Sequence, residues 1–239
     1  MDDKNTNRTI EYYNTHADRY SEITRNADMS DIYKRFEEHL KPGSRILDLG
    51  CGSGRDSKYF LDKGYDVVSL DASETMCKKT YELTGRPALN MRIEDINCEN
   101  EFDAVWACAS MLHVDKGDMI KIFAKVMKAL KIGGVFYASW KYGKGEQTRD
   151  DGRTFANYTE TKVCDMVYSV SGAALEDVWT SQDVRPDRTG QGHLWVNVLV
   201  KKTRVVITEK EFLNIFWKQY QIIEKDVPVS YTHLTLPTI

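Results

Sequence analysis

The sequence has no apolar run long enough to span a lipid bilayer, and its first five residues, MDDKN, are polar. A secretory signal peptide would need an apolar stretch behind such a start, and none follows. We therefore expect a cytoplasmic chain without a membrane partner.

Basic residues are not in excess. The chain contains 33 Lys and Arg against 36 Asp and Glu, which gives a formal net charge of −3. Tight binding of DNA or RNA depends on a basic surface that neutralises phosphates. The composition therefore argues against a nucleic-acid partner.

Paired cysteines are also lacking. The five cysteines are scattered, form no Cys-x-x-Cys pair and have no histidine cluster beside them. This pattern favours reduced thiols, with no disulfide framework and no metal site.

Apolar strand-like segments alternate with amphipathic segments from about residue 30 to residue 200. One strongly amphipathic helix is expected over 116–130, closed by Gly133-Gly134. The predicted strands are 44–49, 65–70, 102–107, 135–140, 174–180 and 194–201. Such alternation predicts an α/β domain with a mostly parallel sheet.

Two ends differ from this central region. Residues 1–29 are polar with clustered tyrosines, and we expect a helical segment or lid there. The main domain would then span 30–202, followed by a helical extension over 203–227 that would begin a truncated module. Residues 228–239 have no charge and no helical period, and they resemble translated sequencing-adapter readthrough; the alternative is an edge strand.

The strongest local signal is the segment ILDLGCGSGR, residues 46–55, in which a buried strand enters a glycine turn that opens a helix. Glycines permit positive φ and let the backbone approach a ligand closely. The spacing is Gly-x-Gly-x-Gly, with Arg55 where dinucleotide-binding loops usually carry a third glycine. An acid at Asp48 disfavours a pyrophosphate and suits a sulfonium or ammonium group. Together these features favour S-adenosylmethionine over a nicotinamide cofactor.

Asp71 lies at the end of the second predicted strand, 17 residues after Gly54. A carboxylate at this place can accept hydrogen bonds from both ribose hydroxyls of a nucleoside ligand. The alternative is that Asp71 only caps the helix that starts at Ser73.

The segments LDLGCGSGRDS, VSLDAS, FDAVWACASMLHV and KIGGVFYASWKYG resemble the class I S-adenosylmethionine-dependent methyltransferases, in particular a small-molecule, tellurite-resistance-like branch. The resemblance covers residues 44–140 and extends more loosely to about 202. It implies a Rossmann-like three-layer sandwich with a mostly parallel seven-stranded sheet and an antiparallel final strand. It also implies S-adenosylmethionine as the cofactor and a small-molecule acceptor, for a protein that is a monomer or a homodimer.

The resemblance assigns cofactor contacts residue by residue. Asp48 would support the loop and the methionine amino group, Asp71 would hold the ribose, and Glu94 or Asp95 would replace the usual contact to the adenine amino group. The full set of implied cofactor residues is Asp48, Gly50, Cys51, Gly52, Gly54, Asp71, Ala72, Met76, Ile93, Glu94 and Ala107. The DNA-methylating Asn/Asp-Pro-Pro-aromatic and Pro-Cys motifs are absent, which also argues against a DNA substrate.

Substrate-side candidates lie after the predicted strand 102–107 and within the N-terminal segment. With its usual pKa near 6.5, His113 would act as a base at neutral pH; the alternative is a packed histidine without catalytic duty. Lid and substrate candidates are Tyr12, Tyr13, Tyr20 and Ser110, and the tyrosines would otherwise pack as part of a helix on the sheet. An anionic substrate would suit Arg149, Arg153, Arg185 and Arg188, which are otherwise ordinary surface arginines.

Three functional hypotheses remain at this point. The first is methyl transfer from S-adenosylmethionine to a small-molecule or metalloid acceptor by in-line displacement. The second is a regulatory module that binds the cofactor without catalysis. The third is an oxidoreductase that uses a different nucleoside cofactor.

Overall fold

The computed structural model describes residues 3–185 and 193–204. Predictions for 205–227, for the tail 228–239 and for Arg188 lie outside these ranges. The helices are α1 Asp3–Thr15, α2 Ala17–Arg25, α3 Ser30–Glu37, α4 Arg55–Asp62, α5 Glu74–Thr84, α6 Met119–Ala129 and α7 Glu160–Tyr168. The strands are β1 Arg45–Leu49, β2 Asp66–Asp71, β3 Ala88–Asn90, β4 Phe102–Ala107, β5 Leu130–Lys141, β6 Glu146–Thr148, β7 Thr154–Ala156, β8 Ala173–Gln182 and β9 Leu194–Lys202.

The described residues form a seven-stranded sheet in the order β3-β2-β1-β4-β5-β9-β8. Strand β1 is central, and its Leu47 lies between Val68 and Val105 in two parallel ladders. Strand β9 runs antiparallel to both of its neighbours, β5 and β8. The α/β prediction and the antiparallel final strand are confirmed.

The strand order reverses between β1 and β4, since the chain leaves β1 on one side and later returns to its other side. In open α/β sheets a crevice forms at such a switch point, outside the carboxyl ends of the strands. The fold therefore directs a ligand to the segment after β1, which is the glycine loop.

Apolar side chains cover both faces of the sheet. On one face, Phe36 of α3 packs with Phe60 and Trp106, whose ring centroids lie 5.2 Å apart. On the other face, Phe123 and Val126 of α6 are fully buried in the larger core. Burial on both sides explains the near-continuous apolar runs of the central strands and produces the three layers.

The expected role of Gly133-Gly134 was wrong. Helix α6 already ends at Ala129, and strand β5 begins at Leu130 rather than at residue 135. Gly133 has a φ of +83°, and the pairing of β5 with β4 shifts register in this region. A Cβ on Gly134 would lie 2.8 Å from the Asp103 carbonyl oxygen. The two glycines therefore permit an irregular, close approach within a strand.

A two-stranded ladder of β6 and β7 was not expected from the sequence. It follows β5 and pairs Glu146 with Ala156 and Thr148 with Thr154. Within residues 3–185 and 193–204, no helix is long and apolar enough to cross a membrane.

Candidate functional site

A cavity lies at the carboxyl ends of the central strands, beside the helices α1 and α2. We call it the loop cavity. Most of the predicted cofactor residues line it, together with side chains from the N-terminal segment. The predicted residues in its lining are Gly50, Cys51, Gly52, Asp71, Ala72, Met76, Ile93, Glu94, Ser110, His113, Tyr13, Tyr20 and Arg185.

The glycine loop is held in a shape that other residues would disturb. Gly50 and Gly52 have φ values of +81° and +56°, in the left-handed region. A Cβ on Gly50 would lie 2.3 Å from the Cβ of Ser110. The amides of Gly50 and Cys51 both donate to the Leu70 carbonyl, at 2.8 and 2.9 Å, which ties the loop to β2. The loop backbone is therefore fixed at the cavity wall.

Asp71 connects this loop to the start of α5. Its Oδ2 accepts from the Gly52 amide at 2.9 Å, and its Oδ1 accepts from the Ser73 amide at 2.8 Å. The cap of α5 is Ser73, whose Oγ accepts from the Met76 amide at 3.1 Å. Burial raises the pKa of Asp71, although both amide hydrogen bonds lower it. Asp71 thus presents a half-buried carboxyl group to the cavity.

Asp48 does not line the cavity. It is 2% exposed and lies beneath the loop, where its Oδ2 accepts from Ser57 Oγ at 2.6 Å. Burial, followed by the charge of Asp56, raises the pKa of Asp48 to about 8. The structure therefore does not support the electrostatic argument for a sulfonium partner, because this carboxyl group is buried beneath the loop and does not line the ligand space.

Two further predicted cofactor residues also lie outside the cavity lining. Gly54 packs against Thr80, since a Cβ there would be 3.0 Å from the Thr80 Cα. Ala107 is fully buried in the core at the end of β4. Both residues pack behind the cavity wall, where no space is left for a ligand.

The segment after β3 closes one side of the cavity. Ile93 and Glu94 line it, whereas Asp95 does not. The Glu94 carbonyl accepts from the Lys125 ammonium, and the Arg92 Nη2 donates to Asn7 Oδ1 at 2.5 Å. The apolar surfaces of Ala72, Met76 and Ile93 suit a flat ring such as adenine. This wall, the glycine cradle and Asp71 fit S-adenosylmethionine.

A second cavity, which we call the basic cavity, adjoins the first. Its basic side chains outnumber its one acid, Asp151; they are Arg19, Lys141, Arg149, Arg153 and Arg185. Three of the four predicted arginines therefore meet there, and Tyr12 lines this cavity rather than the first. The residues that line both cavities are Tyr13, Tyr20, Ala109, His113, Arg185 and Trp195.

A tyrosine–histidine pair occupies this junction. His113 Nδ1 lies 2.8 Å from the Thr154 carbonyl oxygen, and its Nε2 lies 2.9 Å from the Tyr13 hydroxyl. A carbonyl oxygen can only accept, so Nδ1 carries the proton and Nε2 accepts from Tyr13. Burial lowers the pKa of His113 to about 4. The expectation of a histidine with its usual pKa was therefore wrong, because the ring is enclosed and held neutral.

The other aromatic and hydroxyl candidates are held in place by neighbours. Tyr13 and Tyr20 meet edge to face with centroids 5.1 Å apart, and burial raises the pKa of both. The Tyr12 ring stacks on His16. Ser110 donates its hydroxyl to the Leu49 carbonyl at 2.5 Å, so it braces the glycine loop.

Several functional candidates were missed by sequence reasoning. Arg55, considered only as a departure from a dinucleotide motif, lines the loop cavity and bonds to Asp56 and the Thr24 carbonyl. Asp56 also accepts from Trp106 Nε1 at 2.9 Å. Ala109 has a φ of +53°, a strained conformation at the cavity junction. Sequence gives no signal for this strain.

Within the described ranges, no group of three or more His, Cys, Asp and Glu side chains could hold a metal ion. The cysteines at 51, 77, 98, 108 and 164 are all free thiols.

Comparison with known proteins agrees with this geometry. A family model described as a methyltransferase domain matches residues 46–134, which contain the glycine loop, Asp71 and His113. Phosphoethanolamine N-methyltransferase 1 of Arabidopsis thaliana is 29% identical over 78% of this chain and 38% of its own length. The putative methyltransferase YqeM of Bacillus subtilis is 33% identical over 52% of this chain and 53% of its own length.

A solved structure shares the fold. The 1,6-didemethyltoxoflavin-N1-methyltransferase of Burkholderia thailandensis, with 1,6-didemethyltoxoflavin and S-adenosylhomocysteine bound, has a TM-score of 0.67 and 18% identity, covering 83% of this chain and 88% of its own. The chain spans about two-fifths and one-half of the lengths of the two curated relatives above. The family match, the sheet topology and the glycine-loop cavity agree: residues 46–134 match a methyltransferase domain, the fold is that of the class I S-adenosylmethionine-dependent methyltransferases, and the cofactor of this family is S-adenosylmethionine.

Proposed function

We propose that this chain methylates the amine of a small molecule that also carries an anionic group, such as phosphoethanolamine. The observation that carries the proposal is the basic cavity, which meets the loop cavity at Tyr13 and His113. If the cofactor occupied the loop cavity and the acceptor occupied the basic cavity, the two ligands would meet at this junction.

The basic cavity supports the anionic part of the proposal. Its five cationic side chains outnumber the two aspartates that pair with them, Asp151 and Asp183, and such an excess attracts phosphate or carboxylate groups. Arginine in particular binds planar or tetrahedral oxyanions through paired donors. The names of relatives point to the same chemistry, because several are phosphoethanolamine N-methyltransferases.

The nitrogen acceptor is supported by the junction. S-adenosylmethionine supplies an electrophilic methyl group on sulfur when it is bound. An amine that is protonated at neutral pH must lose a proton before its lone pair can attack. This proton is lost to water before the amine is enclosed, because His113, whose pKa is lowered to about 4, is too weak a base to take it. The Tyr13 oxygen, whose own hydrogen is donated to His113 Nε2, accepts a hydrogen bond from the neutral amine and orients its lone pair.

The two helices α1 and α2 exclude water from this reaction space. Asn14 Oδ1 accepts from Ser73 Oγ at 2.7 Å beside the loop cavity. Thr9, which also lines the loop cavity, accepts through Oγ1 from the Thr154 amide at 3.4 Å, and Tyr13 and Tyr20 line both cavities. The N-terminal segment thus acts as a lid that contacts both ligand spaces, and it orients the acceptor by enclosing it.

The experiment is a labelled methyl-transfer assay with three matched compounds. Phosphoethanolamine has both groups, ethanolamine lacks the anion, and ethyl phosphate lacks the amine. We expect transfer to phosphoethanolamine at least tenfold faster than to ethanolamine, and none to ethyl phosphate. Equal rates with ethanolamine would refute the anionic part. No transfer to a wider panel of anionic amines, with S-adenosylhomocysteine still bound, would instead indicate a non-catalytic cofactor-binding module.

A further inference from the structure

Two arginines of the basic cavity are held by the same local arrangement, which we call an Asp-x-Arg clasp. In the first clasp, Asp151 Oδ1 accepts from the Arg153 amide at 3.1 Å and from its Nε at 3.2 Å. Asp151 Oδ2 accepts from Nη2 of the same arginine at 2.6 Å. One carboxylate thus binds both the backbone and one edge of the guanidinium.

The second clasp repeats this pattern on another part of the chain. Asp183 Oδ1 accepts from the Arg185 amide at 3.1 Å and from its Nε at 2.9 Å. Asp183 Oδ2 accepts from Nη2 at 2.5 Å, and the Asp183 side chain is only 4% exposed. Burial raises the pKa of Asp183, but the hydrogen bonds and charge of Arg185 outweigh it and lower the pKa overall.

The two clasps come from separate elements. Asp151 and Arg153 lie between β6 and β7, whereas Asp183 and Arg185 follow β8. Both arginines nevertheless line the basic cavity. Arg153 is fixed further by stacking, since its guanidinium carbon lies 3.8 Å from the centre of the Tyr12 ring. The same local geometry, reached from two directions, therefore presents two arginines to one ligand space.

We propose that Asp151 and Asp183 are positioning residues that preorganise Arg153 and Arg185 as a two-sided clamp for the oxyanion of the acceptor. The proposal rests on the proposed function, because it concerns the same cavity. Holding a long side chain in one conformation before binding removes an entropy cost that binding would otherwise carry. The clasp occupies the Nε–Nη2 edge of each guanidinium and so fixes the plane of that group.

Electrostatics alone predicts that replacing either aspartate tightens anion binding, whereas the proposal predicts that it weakens anion binding. Replacing an aspartate with asparagine removes a negative charge beside the anion site, which by itself would tighten anion binding. If positioning dominates, the same replacement weakens binding, since the arginine regains its rotamer freedom and loses its charged partner. The sign of the change therefore separates the two effects.

The test is calorimetric titration of inorganic phosphate into the full chain saturated with S-adenosylhomocysteine. We expect Asp151→Asn and Asp183→Asn each to weaken phosphate binding roughly 3- to 10-fold. The affinity for S-adenosylhomocysteine should stay unchanged in Asp151→Asn, because Asp151 does not line the loop cavity. In the methyl-transfer assay the same variants should raise KM for the acceptor with little change in kcat. The matched control is Asp165→Asn, which removes an aspartate paired with Lys162 on the exposed face of α7.

Unchanged or tighter phosphate binding in the two clasp variants, or no phosphate binding by the wild type, would overturn the clamp. If Asp183→Asn does not fold, the more exposed Asp151 decides the question alone. Phosphate binding that depends on the clasps, without methyl transfer to any anionic amine, would refute the proposed function and leave the clamp standing.

Discussion

The Tyr13 hydroxyl lies 2.9 Å from His113 Nε2 and so joins helix α1 to the segment that follows β4. The two residues are 100 positions apart in the sequence. Because the Thr154 carbonyl fixes the proton on Nδ1, this contact has a defined donor and acceptor. It is the point where α1, the loop cavity and the basic cavity meet.

Removing the Tyr13 hydroxyl should slow methyl transfer. In Tyr13→Phe the oxygen that orients the neutral amine is lost, and misplacing a reacting group by about 1 Å costs roughly 100-fold. We expect kcat for phosphoethanolamine to fall by about that factor, with S-adenosylhomocysteine affinity within about threefold of wild type. The control is Tyr168→Phe at a tyrosine that is 72% exposed. Wild-type kcat in Tyr13→Phe would mean that the pair only packs.

His113 should make stability depend on pH in acid. Its pKa is lowered to about 4 in the folded protein, mainly by burial, against an ordinary value near 6.5. Between these values the unfolded chain binds more protons, so stability falls as pH decreases from about 6.5 towards 4. Urea unfolding at pH 7.5 and pH 5 should show a loss on the order of 1–2 kcal/mol that His113→Gln lacks. The exposed His39→Gln is the control, and an identical loss in His113→Gln would contradict the assignment.

Asp71 should matter more for cofactor affinity than for the fold. Hydrogen bonds to a charged group contribute about 1.5–3 kcal/mol, so Asp71→Ala should weaken S-adenosylhomocysteine binding by roughly one to two orders of magnitude. Part of this loss comes from the Gly52 amide, which loses its acceptor. Titration calorimetry measures the affinity and circular dichroism checks the fold. Undiminished affinity in a folded variant would leave Asp71 with only its local role at the start of α5.

Gly50 and Gly64 allow backbone strain to be separated from crowding. Their φ values, +81° and +86°, are nearly equal, so alanine is strained by a similar amount at both, about 1–2 kcal/mol. A Cβ at Gly64 meets nothing within 4 Å, whereas at Gly50 it collides with Ser110. We expect Gly50→Ala to destabilise by roughly 1–3 kcal/mol more than Gly64→Ala and to weaken S-adenosylhomocysteine binding. Equal unfolding free energies and equal S-adenosylhomocysteine affinities in the two variants would show that the loop backbone shifts to accommodate a Cβ at Gly50 without cost.

Local features of this site could be predicted from the sequence. The strand, glycine turn and helix around residues 46–55 were recognisable because glycine conformation and apolar periodicity act over a few neighbouring residues. Asp71 was recognisable in the same way, because it is the last residue of β2 and the end of that strand can be predicted from neighbouring residues. The sheet class was predictable as well, since regular alternation of strands and helices leaves few ways to bury both sheet faces.

The tertiary structure decided what depends on contacts between distant segments. Asp48 looked like a ligand contact, but its side chain is buried beneath the loop with Ser57, and burial raises its pKa because it disfavours a carboxylate. The pairing of Tyr13 with His113 required α1 to pack beside β7, which no local pattern encodes. Each Asp-x-Arg clasp is local, yet the meeting of Arg153 and Arg185 in one cavity follows from the sheet order and the β6–β7 ladder. Sequence therefore determined which groups were available, and packing of distant elements determined which of them face the ligand and in which charge state.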